Sequence, residues 1–216
     1  MPDGLEIHES DVLLITDVQN DFCPGGGLAV PEGHEVVPII NRLATSFRTV
    51  ILTQDWHPLG HLSFASSHSS KMPFDTITLE HGEQILWPDH CVQDTPGAEL
   101  YPGLKVPHAQ LILRKGYHRD IDSYSAFLEN DQITPTGLAG YLRERGLTRV
   151  LLAGLALDFC VRYSAEDACR CGFKAIVIED ACRAIDTDDG SLGAARQSFA
   201  ELSIMSIKST ELNLIA

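Results

Sequence analysis

The sequence predicts an α/β fold: a single domain with a doubly wound, six-stranded, mainly parallel sheet and helices on both faces. Three observations carry this. Six short apolar runs recur along the chain, polar or glycine-containing residues follow them, and helix-forming stretches lie between. Runs without a polar face suit strands covered on both sides. Alternation with helices favours parallel strands joined by right-handed crossovers, which bring every strand's carboxyl end to one rim.

Val12–Thr16 is the first run and leads to Asp17; a helix is expected over His34–Phe47. Val50–Thr53 leads to Asp55 and His57, and Leu111–Leu113 to Lys115. A helix over Thr136–Arg145 precedes the fourth run, Val150–Ala153, which stops at Gly154 shortly before Asp158-Phe159-Cys160. Helix Arg162–Arg170, run Ala175–Ile178, helix Gly190–Leu202 and run Ser203–Ile207 complete the alternation. The stretch from Pro58 to Pro107 is the least regular, and a long irregular segment in a compact domain usually has a function. Gly25-Gly26-Gly27 lacks the residues of a phosphate loop and reads as a flexible turn. The acidic run Asp186–Asp189 reads as a solvated loop and helix start.

The 216 residues show no linker or repeat, so residues 1–216 are read as one domain. The formal net charge of −14 argues against nucleic acid or an anionic membrane as partner. No apolar stretch approaches the about 18 residues of a membrane span, and the N-terminus lacks signal-peptide features, so a cytoplasmic protein is expected. Six irregularly spaced cysteines do not make a disulfide framework.

Chemistry gathers at the strand ends. Asp17, Lys115 and Cys160 bring a carboxylate, a cation and a thiol to one rim. A thiol nucleophile needs a base for its proton and a cation for its charge, and a helix N-terminus would lower its pKa further. Asp55-x-His57, with His61 and His90 nearby, offers oxygen and nitrogen ligands for a cation. These donors suit Zn²⁺, Fe²⁺ or Mn²⁺ without choosing among them. Phe22, Trp87 and Tyr124 are loop aromatics, of which Phe22 and Trp87 suit the walls of a flat pocket. A metallohydrolase with an inert Cys160 and a non-enzymatic binding domain remain alternatives at this point.

The segments LLITDVQNDFCPGGGLAV, TQDWHPLGHLSFAS, WPDHCVQDTPGAE, RKGYHRDIDSYSAF and GLALDFCVRYSAEDA, spread over nearly the whole chain, resemble the nicotinamidases of the isochorismatase-like cysteine hydrolase family. The resemblance implies that Asp17, Lys115 and Cys160 form a catalytic triad and that Asp55, His57 and His90 hold one divalent ion, Zn²⁺ first. The role of His61 stays open. It also implies a cis peptide bond at Leu155-Ala156, with the N–H groups of Ala156 and Cys160 facing an oxyanion. Phe22, Trp87 and Leu155 are the expected substrate contacts. The implied activity is hydrolysis of nicotinamide to nicotinate and ammonia in NAD salvage, through a cysteine thioester, with pyrazinamide also accepted. Another amide, such as a ureido or N-carbamoyl compound, is the alternative substrate. A homo-oligomer is compatible with the resemblance, which does not give the number of subunits.

Overall fold

The computed structural model describes residues 4–187 and 190–214, and its strands and helices follow the expected alternation closely. In chain order the strands are β1 (Leu5–Glu6), β2 (Asp11–Thr16), β3 (Thr49–Asp55), β4 (Thr76–Leu79), β5 (Gly82–Ile85), β6 (Leu111–Lys115), β7 (Arg149–Leu155), β8 (Lys174–Arg183), β9 (Met205–Ile207) and β10 (Leu212–Asn213). The helices are α1 (Val36–Ala44), α2 (Leu138–Glu144), α3 (Arg162–Arg170) and α4 (Ser191–Glu201).

Six strands pair in the order β6-β3-β2-β7-β8-β9, and every pairing in this sheet is parallel. The chain starts at β2, winds outward through β3 to β6, then returns to β7 and winds the other way. The crevice beyond β2 and β7 is therefore the topological switch point, where open α/β sheets bind ligands. Asp17 follows β2, and Cys160 lies five residues beyond the end of β7.

Period-two alternation explains the two-sided core. Leu13, Ile15, Val50, Leu52, Leu151 and Ala153 face one cluster, with Val36, Val37, Ile40, Leu43 and Ala44 of α1. Val12, Leu14, Ile51, Val150 and Leu152 face the other, with apolar positions of α2, α3 and α4. All six residues of β2 are buried, and each large aliphatic side chain there contributes about 2 kcal/mol by leaving water. In α1 the apolar residues fall on one helical stripe, and Pro38 lies in the first turn, where no intrahelical acceptor awaits its missing N–H.

Helix α3 has the expected bounds, whereas α1 and α2 are shorter than predicted because their flanks form turns. Between β7 and α3 the chain makes a π-helical turn over Leu157–Val161. The irregular stretch from Pro58 to Pro107 contains the antiparallel hairpin β4–β5 and short 3₁₀ turns. It covers the α1 side of the sheet, where Trp87, Cys91 and Ala98 join the core. The Gly25–Gly27 turn is tied down rather than free: Gly27 N–H donates to Asp21 Oδ1 at 3.0 Å, and a Cβ on Gly26 would strike the Asp21 backbone. Of the acidic run, Asp188 and Asp189 lie outside the described residues.

Candidate active site

The ends of β2, β3 and β6 and the turn after β7 each present one ionisable side chain to the crevice. Asp17 leaves β2 in a left-handed conformation with φ of 47°. Its N–H donates to the Thr53 hydroxyl at 3.1 Å, and that hydroxyl donates to Asp17 Oδ1 at 2.5 Å. Lys115, the last residue of β6, is fully buried. Its ammonium donates to the Ser123 carbonyl at 2.8 Å and to Asp55 Oδ1, and it lies 2.9 Å from Asp17 Oδ2 and 3.5 Å from Cys160 Sγ. Asp17 Oδ2 lies against the ammonium in a fully buried site, and the Cys160 thiol is within hydrogen-bonding reach of the same carboxylate. Residues far apart in sequence thus meet around one cation.

Gly154, at φ of 119°, lets β7 pass against β2 at this point: a Cβ there would collide with the Thr16 carbonyl oxygen. The peptide bond Leu155-Ala156 is cis, and Ala156 and Cys160 both line the cleft.

The second cluster adjoins the first through Asp55. Its Oδ2 lies 3.6 Å from His57 Nε2 and 3.9 Å from His90 Nε2. His57 Nδ1 pairs with the Gly116 carbonyl and His90 Nδ1 with the Pro88 carbonyl, each at 2.8 Å. With Nδ1 as donor in both rings, the two Nε2 atoms turn toward the carboxylate, and against the effect of burial Asp55 raises the His57 pKa. One ligand atom from each of Asp55, His57 and His90 lies within 4.8 Å of the others, so this set fits a divalent cation. Gly116 serves the same geometry, because a Cβ there would overlap the His57 ring. His57, His61 and Asp122 are equally close together, but both ring nitrogens of His61 are engaged, with Ser63 Oγ and with the His118 and Ile121 carbonyls.

A narrow cleft of about 320 Å³ of unfilled space opens onto both clusters. Phe22, Trp87, Tyr124 and Phe159 supply its aromatic walls, and Ile185 and Leu28 its aliphatic ones. Leu155 does not line it. That side chain is fully buried in the core, where its Cδ1 packs against Gly33, because alternation along β7 turns it away from the opening.

The Isochorismatase domain family model matches residues 11–205. The nicotinamidase of Acinetobacter baylyi is 54% identical over 200 residues, covering 93% of each chain. Among solved structures, the Acinetobacter baumanii nicotinamidase/pyrazinamidase superposes with a TM-score of 0.93 at 52% identity, covering 94% of this chain and 98% of that one. The pyrazinamidase of Pyrococcus horikoshii in complex with zinc gives 0.74 at 32% identity, covering 92% and 99%. The chain belongs to the isochorismatase family.

The electrostatics of this family member differ from the sequence-based expectation in one respect. Cys160 sits in a π turn, and its thiol pKa is well above the ordinary value: burial raises it, Lys115 pulls it back, and Asp17 and Asp55 raise it again. Burial likewise raises Asp17, against the pull of Lys115. The resting pair is therefore biased toward thiol, with Asp17 as a proton acceptor of increased basicity. For Asp55, burial is outweighed by Lys115, His57 and His90, which hold it below the carboxylate range. Burial and the neighbouring His57 bring His90 down to about 4, so it is neutral at pH 7 and free to ligate.

Several supporting residues carry no sequence signal. The Gln19 amide clamps the Asp55 backbone, accepting its N–H and donating to its carbonyl, each at 2.8 Å. Thr53 orients Asp17. Asp122 and Ile185 enter the cleft wall from loops whose course the chain pattern does not reveal, and Phe159 from the π turn just before Cys160.

Proposed function

We propose that this chain is a nicotinamidase, hydrolysing nicotinamide to nicotinate and ammonia through a thioester on Cys160, and that it also accepts pyrazinamide. The observation carrying this reading is the meeting of Asp17, Lys115 and Cys160 with a cation-binding set across a narrow, aromatic-walled cleft. The activities named for relatives at 54% and 52% identity support the substrate.

Cys160 sulfur attacks the carboxamide carbon while its proton passes to the Asp17 carboxylate, and the carbonyl π pair moves onto oxygen. The N–H groups of Ala156 and Cys160 donate to that oxyanion, each worth roughly 3 kcal/mol. Asp17 returns the proton to the amide nitrogen, the C–N bond breaks and ammonia leaves. Water then gives a proton to Asp17 and adds to the thioester carbon; the C–S bond breaks and the proton returns to sulfur. Lys115 offsets the negative charge shared by sulfur and the two carboxylates throughout. Asp55, His57 and His90 would hold the divalent ion, Zn²⁺ first, with Fe²⁺ or Mn²⁺ as alternatives, and when bound it supplies a Lewis-acid site for the pyridine nitrogen. Phe22 and Trp87 flank the ring. The reading takes residues 1–216 as one domain acting in cytoplasmic NAD salvage. Among the described residues no helix is long and apolar enough to cross a membrane.

The test is ammonia release from nicotinamide by metal-replete protein, before and after thiol alkylation, with Cys160→Ala alongside. Release abolished by both treatments is expected. Release surviving in Cys160→Ala overturns the thioester route, and no release from the untreated protein overturns the substrate.

A further inference from the structure

Resting on that reading, we propose that Gln84 is a positioning residue for substrate recognition: it holds the Tyr124 hydroxyl as a hydrogen-bond donor directed into the cleft. Gln84 lies on β5, in a hairpin that is otherwise largely exposed, yet its own side chain is buried. Its amide nitrogen is 2.8 Å from the Ile85 carbonyl, 3.0 Å from Asp122 Oδ2 and 3.1 Å from the Tyr124 hydroxyl. Its amide oxygen accepts from Asn130 Nδ2 at 3.2 Å. A carbonyl and a carboxylate are acceptors only, so the nitrogen must face them and the orientation of the amide is fixed. Its two hydrogens serve three acceptors, one of them shared.

The consequence falls on Tyr124. Trp87 Nε1–H also donates to the Tyr124 oxygen, at 3.1 Å. An indole N–H can only donate, and so can this amide nitrogen, so both lone pairs of the phenol oxygen are engaged. The phenol proton must point elsewhere, and Tyr124 lines the cleft beside Cys160 and Phe159. The same network fixes the Trp87 ring, which packs edge-on against Phe159 with centroids 4.9 Å apart. A ligand presenting an acceptor on this edge is met by an oriented donor; one lacking an acceptor leaves that donor unpaired. Gln84 acts only through Tyr124 and Trp87.

Two measurements test this. In steady-state kinetics with nicotinamide, Gln84→Leu is expected to raise KM about 3- to 10-fold, the value of one hydrogen bond, with kcat within about twofold. Tyr124→Phe should do the same, and the double variant should be no worse than either single one. In ¹⁵N–¹H spectra of the metal-replete protein, the Trp87 indole resonance should move in both single variants while that of Trp56 stays. An unchanged KM, additive losses, or an unmoved Trp87 resonance overturns the inference. Gln84→Glu keeps the bulk and removes the donor, and it takes the place of Gln84→Leu if that variant does not fold. Should the unaltered protein release no ammonia from nicotinamide, the functional reading fails, and the indole resonances still decide the role of Gln84.

Discussion

The two sides of the cleft are held in place by different means. Asp17, Asp55 and Lys115 sit at or just beyond the ends of β2, β3 and β6, so sheet register positions them, and the turn after β7 brings in Cys160. Trp87, His90 and Tyr124 sit on loops, where side-chain bonds replace the ladder: Pro88 orients His90, and Gln84 with Tyr124 secures Trp87. The groups proposed to react are thus mounted at the strand ends, and the groups proposed to read the substrate on loops that sequence changes can reshape. This division is common in α/β folds, because loops tolerate variation that a sheet does not.

The largest effect that would expose the difference comes from Lys115→Met. Removing the ammonium leaves Asp17 and Asp55 buried together without their counter-charge. A stability loss of about 3–5 kcal/mol is expected, as for other broken buried pairs, measured by urea unfolding. Turnover should fall by at least about 10³-fold, as when a member of a catalytic unit is lost. A stable, active variant would mean that the strand-end side does not depend on its central cation.

On the loop side, His90→Ala should leave the fold intact and act on recognition. Metal content after dialysis should drop, KM should rise about 10- to 100-fold, and kcat should fall less. Collapse of kcat at saturating substrate, with KM unchanged, would instead place the metal in the chemical step. Metal-stripped native protein should behave like the variant.

The smallest effect sets the rim against the sheet interior. Cys182, within β8, is as buried as Cys160 but has no lysine beside it, and burial pushes its thiol up to about 12. The folded state therefore keeps a proton that the unfolded chain releases above its ordinary value of about 9. This stability is fully present below pH about 9 and is lost as pH rises toward about 12, at roughly 1.4 kcal/mol per pH unit. Unfolding free energies from urea titrations between pH 8 and 11 should fall with rising pH, with Cys23, Cys91 and Cys160 contributing as well, and Cys182→Ala should reduce the slope by about 1.4 kcal/mol per pH unit. An unchanged slope would assign the alkaline loss to other groups.

Much of the strand-end side was legible in the sequence. The runs before Asp17 and Asp55 are buried, as expected of strands covered on both faces, whereas β6, before Lys115, is an edge strand with Ile112 and Arg114 exposed. Parallel strands joined by right-handed crossovers share a rim at their carboxyl ends, so these residues are neighbours by topology alone. Cys160 follows from the strand-turn-helix pattern, although the π turn and the raised thiol pKa do not. Leu155, expected as a substrate contact, packs in the core instead, because the direction of one side chain at a strand end depends on the strand's register.

What the chain pattern alone determined is the alternation of strands and helices, the switch point and the list of ionisable groups at its rim, because period and polarity are local properties. Only the tertiary structure decided that Lys115 sits among two carboxylates and a thiol, that the Nε2 atoms of His57 and His90 converge on Asp55, and that Gln84 reaches Tyr124 across 40 residues. Those facts are distances between segments remote in sequence, and they follow from how loops close over the sheet rather than from any residue's own preference.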